Sequence, residues 1–333
     1  VFHASAVALT NFLRRLKMKT MTTAFRPAIL TAAVALAFAV ALAPAHAADP
    51  NSPVVKINEA TAKADITVET LRGNVSVLYG SGGNIIVYNS PQGKFIVDSG
   101  IAVSKDKLTA ALNKIGPAPL KYLVNTHYHW DHTDGNAWMH AAGATIIGAP
   151  QTVKHLSEAT RVDDWSYTFD VWPKEARPTI LIKGSKIMEF GGEQVAIRNY
   201  GNGHTDGDLW VYLKQADVLA LGDTFWNSYY PFIDNEHGGS IANTITWANK
   251  AIEATTDHTL IVPGHGNTGS RADLIAWRDM LVGVRDQVTK LKQEGKTLEQ
   301  VVAAKPTASY DAKYGAYVIN GEFFTKLVYD GVK

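Results

Sequence analysis

Past residue 65 the chain repeats one pattern: a short apolar run, then turn residues. "ITVETL" (Ile66–Leu71), "NVSVLYG" (Asn74–Gly80), "NIIVYN" (Asn84–Asn89) and "KFIVDSG" (Lys94–Gly100) predict a β-meander. The period then lengthens to that of a helix over Ser104–Ile115, and "KYLVNT" (Lys121–Thr126) predicts the next strand. A short helix around Ala137–Ala142 and the strand Ala144–Ala149 follow. A second β-rich block runs from Thr179 to Leu221, through "TILI", "SKIMEF", "QVAIRNY", "LWVYL" and "DVLAL". Then come helix Ile245–Ala254, strand Leu260–Gly264 and the long amphipathic helix Ala272–Glu294. Two β-rich halves, each followed by helix, imply an α/β fold with two sheets face to face and helices outside, a four-layer αββα sandwich.

Residues 1–47 read as a targeting segment rather than part of that fold. Arg14, Arg15, Lys17, Lys19 and Arg26 precede the apolar run Ala28–Leu42, and Ala45-His46-Ala47 supplies a small-x-small cleavage site before Ala48. Met18 or Met21 is the expected translation start, and the run is short for a membrane span. The expectation is a cleaved signal peptide, a periplasmic or secreted product without stable membrane insertion, and a single domain over residues 48–333. Basic and acidic residues nearly cancel, 32 against 31, so no net field favours nucleic acid. With no cysteine, disulfides and thiolate-ligated metals are excluded. The long helix could cover its apolar stripe with its own sheet or with a partner, which leaves the oligomeric state open.

Candidate chemistry gathers where the strand Lys121–Thr126 ends, in "NTHYHWDHTDGN" (Asn125–Asn136). His127 and His129 are two apart at a strand end, so both imidazoles face one side and can meet one ion. The turn past Trp130 aims Asp131 and His132 at a neighbouring position. His204, Asp223 and His265 each follow an apolar strand of the second half, where a cleft opens in a layered α/β fold. Nitrogen-rich ligation with two carboxylates suits zinc, and iron or manganese also accepts such a set. His140, His155 and His258 sit in or beside predicted elements and are expected to be surface or satisfied core residues.

"THYHWDH", "GHTDGD", "GDTFW" and "PGHG", in this order, resemble the motif set of the metallo-β-lactamase superfamily, from about Ile66 to His265. The resemblance implies an αββα sandwich with two metals at one sheet edge. His127, His129 and His204 would hold the first metal, Asp131, His132 and His265 the second, and Asp223 would bridge them. Two Zn2+ would acidify a shared water, and Asp131 would orient it and pass a proton to the leaving group. The implied activity is hydrolysis of an ester, thioester, lactone or amide of a small molecule.

The position of Asp223 narrows the choice. Zinc β-lactamases of this superfamily carry cysteine or serine there, so the aspartate points toward a broader exported hydrolase, with zinc β-lactamase as the alternative. Glyoxalase II shares the aspartate but acts on cytosolic glutathione thioesters, and no basic cluster stands in the C-terminal region here. An iron-dependent sulfur oxygenase would leave His132 and His265 without a role. A non-catalytic periplasmic metal-binding protein would have no need of a bridging carboxylate. Two aromatic loops, Arg161–Pro173 and Thr224–Ser240, are expected to set specificity. The first carries Trp165, Tyr167, Phe169 and Trp172. In the second, Trp226, Tyr229, Tyr230 and Phe232 would wall an apolar pocket, with Asn227 or His237 as polar contacts.

Overall fold

The structure is a computed structural model that describes residues 49–333, so the expected leader lies outside it. The chain opens with helix α1 (Pro53–Lys63), capped by Ser52, whose hydroxyl accepts from the Val54 amide and donates to the Trp165 carbonyl at 2.7 Å. Strands β1 (Thr67–Thr70), β2 (Val75–Tyr79), β3 (Ile85–Ser90) and β4 (Gly93–Val97) then form an antiparallel meander. Helix α2 (Lys105–Ile115) leads to β5 (Leu120–Val124), which lies parallel to β4. The short helices α3 (Trp130–Thr133) and α4 (Asn136–Ala141) precede β6 (Thr145–Gly148) and α5 (Pro150–Ser157). A hairpin of β7 (Thr160–Val162) and β8 (Tyr167–Phe169) separates these from β9 (Ile180–Leu181).

The second sheet contains β10 (Ser185–Phe190), β11 (Glu193–Arg198), β12 (Trp210–Leu213), β13 (Val218–Ala220) and, after α6 (Ile241–Ala254), β14 (Leu260–Val262). Helices α7 (Arg271–Gln293), α8 (Leu298–Ala303), α9 (Asp311–Tyr314) and α10 (Gly321–Gly331) complete the described chain. None of the described helices is long and apolar enough to cross a membrane.

Period-two alternation explains the layering, because both faces of each sheet are apolar. In β3, Ile86 and Tyr88 enter the core between the sheets, whereas Ile85 and Val87 face the layer of α2 and α4. In β12, Val211 and Leu213 point to that central core, and Trp210 and Tyr212 point to α6, α7 and α10. Each fully buried aliphatic side chain contributes about 1.5–3 kcal/mol of transfer free energy. The result is the αββα sandwich.

The structure departs from the sequence expectation in several places. "TILI" belongs to the first sheet, since β9 pairs in parallel with β6 (Ile147 opposite Ile180), and the chain crosses to the second sheet only afterwards. The aromatic loop from Arg161 folds as the β7–β8 hairpin, and α1, α5 and the three C-terminal helices were not anticipated. These helices are short or mixed in polarity, so tertiary packing and caps set them more than periodicity does.

Candidate metal centre

The motif after β5 leaves the strand with its side chains buried: His127, His129, Asp131 and His132 are almost wholly inaccessible. His129 Nδ1 lies 3.0 Å from His127 Nε2 and 3.0 Å from His204 Nε2. The outer nitrogen of each ring fixes its tautomer. His129 Nε2 donates to Asp234 Oδ2 at 3.0 Å, and His204 Nδ1 donates to the Phe232 carbonyl at 2.9 Å. Thr126 gives its hydroxyl hydrogen to Asp98, so its oxygen accepts from His127 Nδ1 at 3.1 Å. Three inner nitrogens therefore turn lone pairs toward one point, an arrangement that repels itself unless a cation sits there.

Asp223 joins this group, with Oδ2 3.6 Å from His204 Nε2 and 3.8 Å from His127 Nε2. Beside it lies a second group of Asp131, His132 and His265. His265 Nε2 stands 3.3 Å from Asp131 Oδ2 and 3.4 Å from Asp223 Oδ2, and His132 Nε2 is 3.1 Å from Asp223 Oδ1. Both His132 Nε2 and Asp223 Oδ1 are buried without a hydrogen-bond partner. Orphaned buried polar atoms facing a converging donor set fit a metal ligand role. Asp223 reaches both groups.

The electrostatics differ between the two groups. Burial, followed by the charge on His132, holds His127 well below the usual imidazole value, and burial takes His204 down to about 4. Burial also opposes charge on His132 and His265, but the carboxylates of Asp223 and Asp131 outweigh it. His132 is raised well above its ordinary value and His265 to about 9. Those same imidazoles, against burial, keep Asp131 and Asp223 below the usual carboxylate range. The second group thus attracts positive charge, as a cation site must.

Local sequence explains the placement. Gly222, at φ 52°, turns the chain after β13 so that Asp223 points inward. At Gly264 a Cβ would fall on Asp223 Oδ1, so only glycine lets the strand-end backbone approach. Asp208 ties the His204 loop by accepting from the Thr205 amide and hydroxyl, both at 2.9 Å.

Two buried carboxylates behind the cluster were not singled out from sequence. Asp98 accepts from Thr126 N, Thr126 Oγ1 and His132 Nδ1, each at 2.7 Å. It ends an apolar strand just as Asp223 does, a signal the sequence contained. Asp234 accepts from His129, from the Tyr128 hydroxyl and from His237. It sits in irregular chain and had no such signal.

The expected pocket residues divide. Trp226, Phe232 and Trp165 line a cleft whose floor includes Asp131, Asp223 and His265, and Tyr229 faces an adjoining groove. Tyr230 is instead core: it is fully buried, stacks on Phe324 and donates to Asp311 Oδ1 at 2.8 Å. Asn227 braces the His265 loop through the Asn267 carbonyl at 2.9 Å, and His237 is engaged by Asp234 at 2.8 Å. Tyr167, Phe169 and Trp172 border a separate depression beside Trp130. Of the other histidines, His155 is buried against Asp206 and Tyr128, His140 is held by the Ala144 carbonyl, and His258 is exposed.

Comparison with known proteins agrees with this geometry. The Metallo-beta-lactamase superfamily model matches residues 78–265. A "Metallo-beta-lactamase type 2" of Bacillus cereus is 26% identical over 204 residues, 60% of this chain and 72% of that protein. A "Hydroxyacylglutathione hydrolase" of Erythrobacter litoralis is 30% identical over 106 residues, 32% of this chain and 34% of that one. Among solved structures, the sec-alkylsulfatase Pisa1 from Pseudomonas sp. superposes with a TM-score of 0.61 at 16% identity, over 82% of this chain but only 51% of that chain. The DIM-1 metallo-beta-lactamase gives 0.53 at 19% identity, over 66% and 98%. At those identities the structural likeness is one of fold. With its sandwich, its paired histidine–aspartate groups and a family match over more than half its length, the chain belongs to the metallo-beta-lactamase superfamily and is a metal-dependent hydrolase.

Proposed function

We propose that the protein is an exported hydrolase that holds two zinc ions and cleaves an ester, thioester, lactone or amide of a small molecule. The observation that carries this reading is the pair of adjacent buried ligand groups within reach of one carboxylate, Asp223. His127, His129 and His204 would hold one cation and Asp131, His132 and His265 the other, a donor set that suits zinc. A divalent cation there supplies Lewis acidity, which acidifies water and polarises a carbonyl oxygen. Export rests on the sequence pattern before Ala48.

The chain's own residues supply the rest. Asp131 lines the cleft beside Asp223 and His265, so its carboxylate can accept a proton from the attacking water. Water's oxygen becomes the new acyl oxygen, the bond from the carbonyl carbon to oxygen, sulfur or nitrogen breaks, and the leaving group departs with the proton that Asp131 returns. Trp130, Trp165 and Trp226 exclude bulk water from the floor of the cleft. A second reading, β-lactam hydrolysis, is favoured by the relation to the Bacillus cereus protein.

Metal analysis joined to a hydrolysis screen tests the proposal. Purified protein should contain close to two zinc ions per chain and should hydrolyse at least one of nitrocefin, acyl lactones, acyl esters, thioesters, or phosphate and sulfate esters. Chelation and His129→Ala should each abolish that activity. Zinc-loaded protein inert toward every substrate, with His129→Ala leaving metal content unchanged, would overturn the reading.

A further inference from the structure

The cleft over the ligand groups is narrow, and most of its wall is apolar. Trp130, Trp165, Trp226 and Phe232 line it together with Ile57 of α1 and Phe323 of α10. No lysine or arginine lines it, and its charged side chains are Asp131, Asp223 and His265 at the floor. A negatively charged substrate tail along these apolar walls would be desolvated with no lysine or arginine to meet it. An adjoining open groove shares Ile57, His265, Tyr317 and Val318 with the cleft and adds the polar side chains of Lys56, Thr67, Asn84 and Asn267. His265 therefore stands where the narrow cleft opens into a groove that offers hydrogen-bonding side chains.

The walls are fixed in place. The Ser52 hydroxyl donates to the Trp165 carbonyl, and Trp130 Nε1 donates to Asn58 Oδ1 at 2.9 Å, which pins α1 across the cleft. Tyr317 and Val318, at the boundary of the two compartments, are among the large apolar side chains left exposed, at 39% and 42%. Exposed apolar residues at the rim of a preformed pocket mark a binding surface.

We propose that this cleft holds the uncharged apolar acyl chain of a carboxylic ester, with the ester carbonyl over the ligand groups and a polar alcohol portion in the adjoining groove. The inference rests on the hydrolase reading above. It assigns specificity to Ile57, Tyr317 and Phe323, which lie on elements outside the metal motifs.

A series of p-nitrophenyl esters from acetate to decanoate tests it. On zinc-loaded protein, kcat/KM should rise about two- to fourfold per methylene over the first several carbons, as expected for burial of each group. Acyl chains ending in a carboxylate should fall at least tenfold below neutral chains of equal length. Phe323→Glu should flatten the chain-length dependence. Asn320 caps α10 by accepting from the Phe323 amide, so glutamate at 323 completes a capping box and the helix should persist. Ile187→Glu, on the distant edge strand β10, should leave the whole series unchanged.

A second measurement separates the cleft from the chemistry. Nonanamide should perturb the tryptophan fluorescence of metal-free protein, and Phe323→Glu should weaken that binding at least tenfold. If no ester were hydrolysed while a lactone, thioester or amide was, the ester assignment would fall and the hydrolase reading would stand. If no substrate of any class were hydrolysed, the hydrolase reading would fall, while nonanamide binding lost in Phe323→Glu would still support the apolar-chain site. Ester hydrolysis indifferent to chain length and tail charge, with no nonanamide binding, would overturn the cleft assignment and leave the hydrolase reading standing.

Discussion

Asp234 shows how much of the centre depends on residues that touch no metal. Its two oxygens receive the Tyr128 hydroxyl, His129 Nε2 and both the amide and the ring of His237. Against burial, His129 and His237 keep the carboxyl well below its ordinary value, so it is an anion that orients His129. Asp234→Asn keeps the shape and removes the charge. Zinc affinity, measured by competition with a chromophoric chelator, should fall about 10- to 100-fold, with little change in the circular dichroism spectrum. Unaltered affinity would reduce Asp234 to a packing residue. His127 and His129 were legible in sequence as a pair two apart at a strand end, and His204, Asp223 and His265 because each is a lone polar side chain after an apolar run. Asp234, four residues beyond Tyr230 in irregular chain, shows its role only when the fold brings it to His129.

At the scale of elements, the centre is made by strand ends. β5, β13 and β14 each stop where a ligand begins, and β13 and β14 run parallel, so Asp223 and His265 emerge on the same edge. The backbones must approach closely for the ligands to converge. Gly264 donates its amide to the Gly222 carbonyl at 2.8 Å, directly under Asp223. Gly264→Ala would drive a methyl group into that carboxylate, which lies within reach of both groups and which we propose bridges the two ions. The expected result is a drop from two bound zinc ions to one or none, measured by elemental analysis, in a chain that still folds. Two zinc ions bound at unchanged affinity would refute the bridging role of Asp223. The main strands were legible because each is apolar on both faces, a pattern only a doubly covered sheet requires. Helix α1 was not, although Ser52 and Pro53 are a recognisable start signal, because its residues are mixed in polarity and only Val54 and Thr61 are buried. That omission hid one wall of the cleft.

Across the whole molecule, the four layers place an unusual charge density at one sheet edge, and the metal-free protein has a way to tolerate it. Protons on His132 and His265 balance Asp131 and Asp223 when no cation does. Chelation should therefore lower stability without unfolding the sandwich. Saturation at a hundred times Kd contributes about 2.7 kcal/mol, so calorimetry should show the melting temperature falling by roughly 5–10 °C on metal removal. The sign of the pH effect follows from His265, whose value rises from the ordinary 6.5 to about 9 in the folded chain. Its contribution is fully present below 6.5 and is lost as pH rises through about 9. Metal-bound protein carries no proton at that position, so its stability lacks this dependence. The gap between metal-loaded and metal-free melting temperatures should thus widen from pH 6.5 to pH 9. A gap that stays constant over that interval would show that protons do not stand in for the cation, and that the paired carboxylates are neutralised some other way.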